Sequence, residues 1–536
     1  MAEQWDHVVV GAGSAGCAVA ARLAEAGRRV LLLEAGKRDD AFWVKVPLGV
    51  GRILARDSEI WRFTTEPDPG ANDRRMLWPR GKLLGGSSSV NGMIWVRGDP
   101  GRWDEWGAES PGWAWRDIAP RMRAMETTRH GDAAIRGRNG PIHVTQIATG
   151  DAVTDAFIAA CVAAGIPANA DYNGATHEGV GRLQMNTRRG RRHSAADGYL
   201  RPPRAGLAVR TEAPASRILF DGQRAIGVEY GDGQQAFAAR DVIIAAGAIQ
   251  SPQLLEVSGI GDARRLQGLG IPLVHHLPGV GENLSDHFHI RITFRSQGVL
   301  TVNDMLNKPW RHGPPELLRW LWNGTGMFSF MSATAHALAR ANPAATGPDT
   351  KLQLHKISAA DRTGMTRGNG VDGFSGISLG WFQLYPESRG SVHARSPRMA
   401  DAPAIHANYL ATEGDRRAAL AGLQLARRVA AHPAMQRFIL EETRPGPEMT
   451  DEEALLAHIR ATGQTSYHPV GTCRMGSGAD AVVDAECRVH GLDGLRVVDA
   501  SIMPFIVSSN TNAPAIAIGE RAAALILGQS NTEAMR

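Results

Sequence analysis

Residues 7–34 constrain this chain more than any other stretch. His7-Val8-Val9-Val10 is a β-branched run, Gly11-Ala12-Gly13-Ser14-Ala15-Gly16 a glycine turn, 17–27 an alanine-rich helix with its stop signal, and 29–34 a second buried strand ending in Glu34. This is a βαβ unit with a dinucleotide-binding turn. Gly11 permits the tight turn, Gly13 lets backbone approach a pyrophosphate, and Gly16 lets helix and strand pack closely. The helix start at Ser14 and Ala15 faces the phosphates, and Glu34, with Ala35 beside it, can accept from ribose hydroxyls. An acid at 34 suits FAD or NAD rather than NADP.

The rest of the chain extends this nucleus into a larger α/β assembly. The 536 residues include 61 glycines, about 11% against a usual ~7%, so other loops must also need close backbone approach. The stretch 217–241 alternates apolar and polar residues around Asp221-Gly222 and Asp232-Gly233 and predicts a β-meander leading into the buried strand 242–247. Residues 495–505 add a strand and 512–529 a helix, so both ends of the chain contribute to one α/β domain. The segment from about 300 to 460 is different: a Trp- and Met-bearing stretch, a Gly/Asp loop near 361–376, β-like runs at 351–358 and 377–396, and amphipathic helices at 415–432 and 450–463. The expected fold class is α/β plus α+β: a Rossmann-like dinucleotide-binding domain from discontinuous segments (1–150, 201–300, 465–536) and a second domain of antiparallel sheet and helices (151–200, 301–464).

Composition excludes several classes. The 59 basic and 54 acidic residues leave +5, with no long basic tail, which argues against nucleic acid as a partner. Cys17, Cys161, Cys473 and Cys487 form no CxxC pair and read as reduced thiols. With neither a secretory segment nor an apolar run long enough to span a bilayer, a cytoplasmic protein is expected, with peripheral membrane contact open.

Three further loops carry the chemistry: RGKLLGGSSSVNGM (80–93), GAIQSPQLLEVSGIG (247–261) and GVGENLSDH (279–287). Together with TSYHPVGTCRMG (465–476) and GLRVVDASIMPFIVSSNTNAPAIAIGE (494–520), they resemble the glucose-methanol-choline (GMC) oxidoreductase family in order and over essentially the full length. That resemblance implies FAD, with the discontinuous Rossmann-like domain as the FAD-binding domain and the second as the substrate-binding domain, and oxidation of an alcohol. His468 falls on the family's catalytic histidine, a base that would take the alcohol proton as hydride passes to flavin N5. Asn510 falls on the second active-site position, where it can hydrogen-bond the developing alkoxide; Asn512, two residues on, stays open as that partner or as a cofactor contact. Gly85, Asn91, Gly92 and Met93 are expected along the flavin, Asp499 and Ala500 near its ribityl or pyrophosphate part, and Ala215 near the adenine. Val90 stands where some members carry a histidine bonded to the flavin, which predicts non-covalent FAD.

Members resembling choline dehydrogenase match best, through NGM, GVGENLSDH and NTNAP. The stretch 324–343, where the family's acidic ammonium contact is expected, has no Asp or Glu. The implied substrate is therefore a neutral primary alcohol, with polyols or sugars such as sorbose next and a non-redox lyase of the same fold as the alternative of another class. Electrons are expected to pass to a quinone, another carrier or oxygen. No metal is expected: His287 and His289 share a strand face but lack further ligands. Cys473 reads as a small buried residue, and Trp320, Trp322, Phe328, Phe330 and Met331 as either a channel wall or core.

Overall fold

The computed structural model describes residues 4–148, 150–360 and 370–529; most of the Gly/Asp loop expected near 361–376 lies outside them. Strand Gln4–Val10 pairs in parallel with Val30–Leu33, and helix Ser14–Glu25 crosses between them. Val8 to Val10 and Val30 to Leu33 are all buried, as strands covered on both faces must be.

A seven-stranded sheet grows around this unit. Leu207–Arg210 extends one edge in parallel beyond Val30–Leu33, and Gln234–Ile244 lies parallel on the other side of Gln4–Val10. Arg224–Tyr230 and Ala215–Asp221 follow as the expected antiparallel meander. Leu495–Val497 pairs in parallel with Val242–Ile244, so residues 253 positions apart share a ladder. Parallel neighbours require long crossovers, and here those crossovers carry whole inserted segments. Helix Asn512–Leu527 packs on Ser14–Glu25. Gly519 makes this approach possible: a Cβ there would stand 2.4 Å from the Ala15 carbonyl oxygen.

The second sheet is antiparallel throughout, in the order Ile439–Arg444, Phe288–Ser296, Gly376–Gln383, Thr350–His355, Ala333–Ala339, Gly179–Arg182, with Gln464–Thr465 pairing at one end of Phe288–Ser296. Phe288–Ser296 was expected among the FAD-binding segments. Its buried Ile290, Ile292 and Phe294 instead enter the apolar cluster of this sheet, so the chain crosses over before residue 288 rather than at 300. Helices Glu413–Ala430 and Glu452–Thr462 cover the sheet where amphipathic patterns predict them.

The aromatic stretch 320–331 is neither a single wall nor simple core. Trp320 and Phe330 are buried while Trp322 is 91% exposed, and the Met331 methyl lies 3.3 Å from where a Cβ on Gly92 would be.

Candidate active site

A cavity of about 890 Å³ lies at the carboxyl ends of the parallel strands, lined among others by Gly11, Gly13, Ser14, Ala15, Glu34, Ala35, Ala215, Asp499 and Ala500, the crevice where open α/β sheets hold dinucleotides. The three turn glycines divide their tasks. A Cβ on Gly11 would meet the Ala245 carbonyl oxygen at 2.5 Å and one on Gly16 the Gly11 carbonyl oxygen at 1.9 Å, whereas one on Gly13 has nothing nearer than 3.9 Å. Gly11 and Gly16 are thus closed in by protein, and Gly13 faces space left for a ligand. Gly16 and Gly85 stand behind the lining, Gly85 donating from its N–H to the Ala12 carbonyl at 2.8 Å.

The donors around this cavity suit an anionic dinucleotide. Helices Ser14–Glu25 and Asn512–Leu527 both begin without a side-chain cap, leaving N-terminal N–H groups and positive helix ends for phosphate or a polar ring. Ser14 Oγ donates to Asn512 Oδ1 at 2.7 Å, and Asn512 Nδ2 is buried without a protein partner. Asp499 accepts from the Gly247 N–H and Ser251 Oγ at the start of a third helix. Glu34 accepts from the Ala12 and Gly36 N–H groups at 3.0 and 2.9 Å, and burial pushes its carboxyl up to about 7. Each of its oxygens keeps a second lone pair for a ribose hydroxyl.

Asn91 Oδ1 accepts from Arg192 Nη1 and from the Met93 N–H, both at 2.9 Å, and Met93 takes a left-handed φ of 63°. Buried Arg192 thereby shapes the Asn91-Gly92-Met93 loop. Val90 is buried among Val44, Ile53, Ile60 and Leu83.

His468 and Asn510 come together: Asn510 Nδ2 lies 2.9 Å from His468 Nε2. Asn512 faces Ser14 instead, which separates the two asparagines by task. Further partners assign the protons. The Leu384 carbonyl, 3.0 Å from His287 Nε2, can only accept, so His287 carries its proton there. Burial holds His287 neutral, pushed down to about 3. Its Nδ1 is therefore a lone pair, and it lies 2.9 Å from His468 Nδ1. His468 donates from Nδ1, which leaves Nε2 as the basic nitrogen, facing the Asn510 amide.

The amide is fixed from its other end. Lys351 Nζ donates to Asn510 Oδ1 at 2.5 Å. Lys351 is fully buried, and burial pushes its amine well below the usual lysine range. Asp286 borders the cluster, Asp99 lies farther out, and both are hydrogen-bonded to protein. Asp286 accepts from the His468 N–H at 2.7 Å, Thr465 Oγ1 at 2.6 Å and the Tyr409 hydroxyl. Asp99 caps a helix through Gly101 N–H and accepts from the Tyr385 hydroxyl at 2.6 Å. His287, Lys351 and Asp286 were not singled out as site residues from sequence. Asp286 and His287 do sit in the GVGENLSDH motif, but Lys351 lies in a strand with no local signature. His287 and His289 do not converge: the first meets His468, while the second lies 5.7 Å, ring to ring, from His355.

Family models described as GMC oxidoreductase match residues 5–289 and 386–519. The chain belongs to the GMC oxidoreductase family. It is 39% identical to mitochondrial choline dehydrogenase of Mus musculus, covering 99% of this chain and 91% of the relative, and 39% identical to the oxygen-dependent choline dehydrogenase of Pseudomonas fluorescens, covering 99% and 94%. Among solved structures, pyridoxine 4-oxidase from Mesorbium loti is 30% identical, with a TM-score of 0.87 over 98% of this chain and 100% of that one. A formate oxidase variant from Aspergillus oryzae, 23% identical with a TM-score of 0.89 over 98% of both chains, shares the fold. This GMC oxidoreductase is an FAD-binding enzyme that oxidises alcohols.

Proposed function

We propose that this GMC oxidoreductase converts a neutral primary alcohol to its aldehyde, with His468 Nε2 as proton acceptor and Asn510 Nδ2 as hydrogen-bond donor to the substrate oxygen. The observation that carries the reading is the proton chain from Leu384 through His287 to His468, which leaves the lone pair at Nε2. When bound, FAD supplies the hydride acceptor. As the hydroxyl proton moves to Nε2, the His287 lone pair keeps accepting from Nδ1–H, so the imidazolium stays oriented. Asn510 strengthens its hydrogen bond as charge develops on the oxygen, a term worth about 10²–10³ in rate where such a donor has been removed from other enzymes.

The relatives named choline dehydrogenases raise choline as a substrate, and the charges around His468 oppose it. A buried quaternary ammonium needs an anion or an aromatic cage to offset desolvation. Both Asp286 oxygens are turned to protein donors and away from a substrate, residues 324–343 contain no acid, and Lys351 would repel a cation when charged. Electrons leave to a quinone-like acceptor or to oxygen. The test is anaerobic mixing of the purified yellow protein with benzyl alcohol, an aliphatic primary alcohol and choline. Neutral alcohols should bleach the flavin and choline should not, while His468→Ala keeps its flavin and does not bleach. Faster bleaching by choline, or full activity of His468→Ala, overturns the reading; oxygen uptake against dye reduction on one alcohol checks the acceptor.

A further inference from the structure

Helix Pro309–Asn323 is anchored on one face and bare on the other. Inward, Glu316 accepts from the Met327 N–H and the Trp320 indole donates to the Gly190 carbonyl, both at 2.7 Å. Outward, Trp310 and Trp322 are each 91% exposed, Leu318 68% and Leu321 58%. At about 100° per residue, the arc from Leu317 through Trp310, Leu321 and Leu318 to Trp322 spans about 140°. Phe42, also exposed, stands at the edge of the helix, its ring 6.3 Å from that of Trp320. Scattered apolar side chains are ordinary on a surface, but a continuous patch with two fully presented tryptophans marks an interaction face.

Along the helix itself the exposed charge is basic. From Leu306 to Asn323 the sole acid is Glu316, which is buried and pairs with Arg319 at 3.1 Å; Lys308 and Arg311, beside Arg319, are exposed. The turn carrying Arg188, Arg189 and Arg191, all exposed, abuts the helix end, where a Cβ on Gly190 would lie 2.1 Å from the Gly324 carbonyl oxygen. Tryptophan and leucine over a basic rim match the boundary between acyl chains and anionic headgroups.

We infer that this helix docks the enzyme on an anionic lipid surface, lying in the plane of the interface. The helix has 15 residues with Pro314 and Pro315 inside it, and none of the described helices is long and apolar enough to cross a membrane, so it lies on the bilayer rather than through it. A second copy of this chain fits less well, because a two-fold axis through the patch sets the basic rim against itself. Eight residues beyond the helix end, the Met331 methyl lies against Gly92 in the loop expected along the flavin. The docking geometry stands independently of which alcohol is oxidised.

The experiment uses the full chain with its flavin and vesicles of phosphatidylcholine, with and without phosphatidylglycerol. The protein should sediment with the anionic vesicles, less so as salt rises, and remain in solution with the neutral ones. Lys308→Glu/Arg311→Glu should weaken binding by at least ~25-fold, taking about fivefold per basic residue removed from an anionic surface, and Trp310→Ser/Trp322→Ser should also release it. Both variants should reduce a soluble dye at the wild-type rate, which separates a failure of docking from a failure of the proposed chemistry. No binding of the wild type, or equal binding by the tryptophan variant, overturns the inference. So does a wild-type dimer that the same substitutions dissociate, which would assign the face to a second copy.

Discussion

Replacing Lys351 by Met tests whether the lysine organises the reaction or merely fills space. The two side chains have similar length, so the change removes the Nζ donor and little volume. Two stability terms oppose each other. Asn510 Oδ1 loses its 2.5 Å partner, at about 1–3 kcal/mol for a buried acceptor left unpaired. Ser509 Oγ at 3.3 Å offsets part of this loss, and burial of an amine with no carboxylate partner is relieved. The net change in stability should therefore be small. The effect on rate should not be. With Lys351 present, turning the amide over breaks the Nζ–Oδ1 hydrogen bond and sets two acceptors face to face at His468; with Met, only the His468 end resists. Removing such a donor outright costs about 10²–10³ in rate, and loosening it should cost an order of magnitude less, about 10–50-fold. The assay is anaerobic stopped-flow bleaching of the flavin across alcohol concentrations. The limiting rate should fall while the half-saturating concentration changes little, and Lys351→Gln, which retains a donor, should recover part of the rate. A wild-type limiting rate in Lys351→Met refutes the reasoning, and a loss of rate that follows only a lowered melting temperature reduces Lys351 to a packing role.

Other outcomes follow from the same geometry. Gly16→Ala should destabilise the protein by about 2–3 kcal/mol or more, because its Cβ falls 1.9 Å from a backbone oxygen. Gly13→Ala, with nothing within 3.9 Å, should melt like wild type when flavin-free yet bind FAD at least ~10-fold more weakly, since 1.4 kcal/mol of lost contact is tenfold; equal FAD affinity by titration would contradict the placement of the phosphates. Acid precipitation should release all flavin to the supernatant, because Val90 is buried in an apolar cluster and offers no nucleophile; yellow precipitate would refute this. His287 is held neutral, at about 3 against an unfolded value near ~6.5. Between those values the unfolded state binds more protons, so stability present at neutral pH is lost as pH falls from about 6.5 toward about 3. At pH 5 this one group removes about 2 kcal/mol; His287→Gln should flatten the pH dependence of the melting temperature by that share, and an unchanged slope would remove His287 from the account.

Local chemistry was legible wherever a requirement is local. The N-terminal βαβ unit follows from β-branched runs and glycine spacing, and the meander from two Asp-Gly turns, because adjacent residues impose those shapes. His468 was legible through a motif, yet its protonation was not. Its tautomer depends on the Leu384 carbonyl, reached through His287 from 84 residues away in sequence terms at Leu384 and 181 at His287. Phe288–Ser296 illustrates the limit for domains: alternation predicts a strand, but which sheet it joins depends on the apolar faces it meets.

The sequence by itself picked out a glycine turn, a helix and a terminal acid suited to a dinucleotide, a valine at position 90, and His468 and Asn510 as the pair proposed for the reaction. Only the tertiary structure decided which asparagine faces which group, brought Lys351 to Asn510 and His287 to His468, and turned Trp310 and Trp322 to solvent. The physical reason is range. Backbone conformation and close glycine contacts are set over a few residues, whereas proton positions, buried charges and exposed faces depend on partners that only packing brings within hydrogen-bond distance or keeps away.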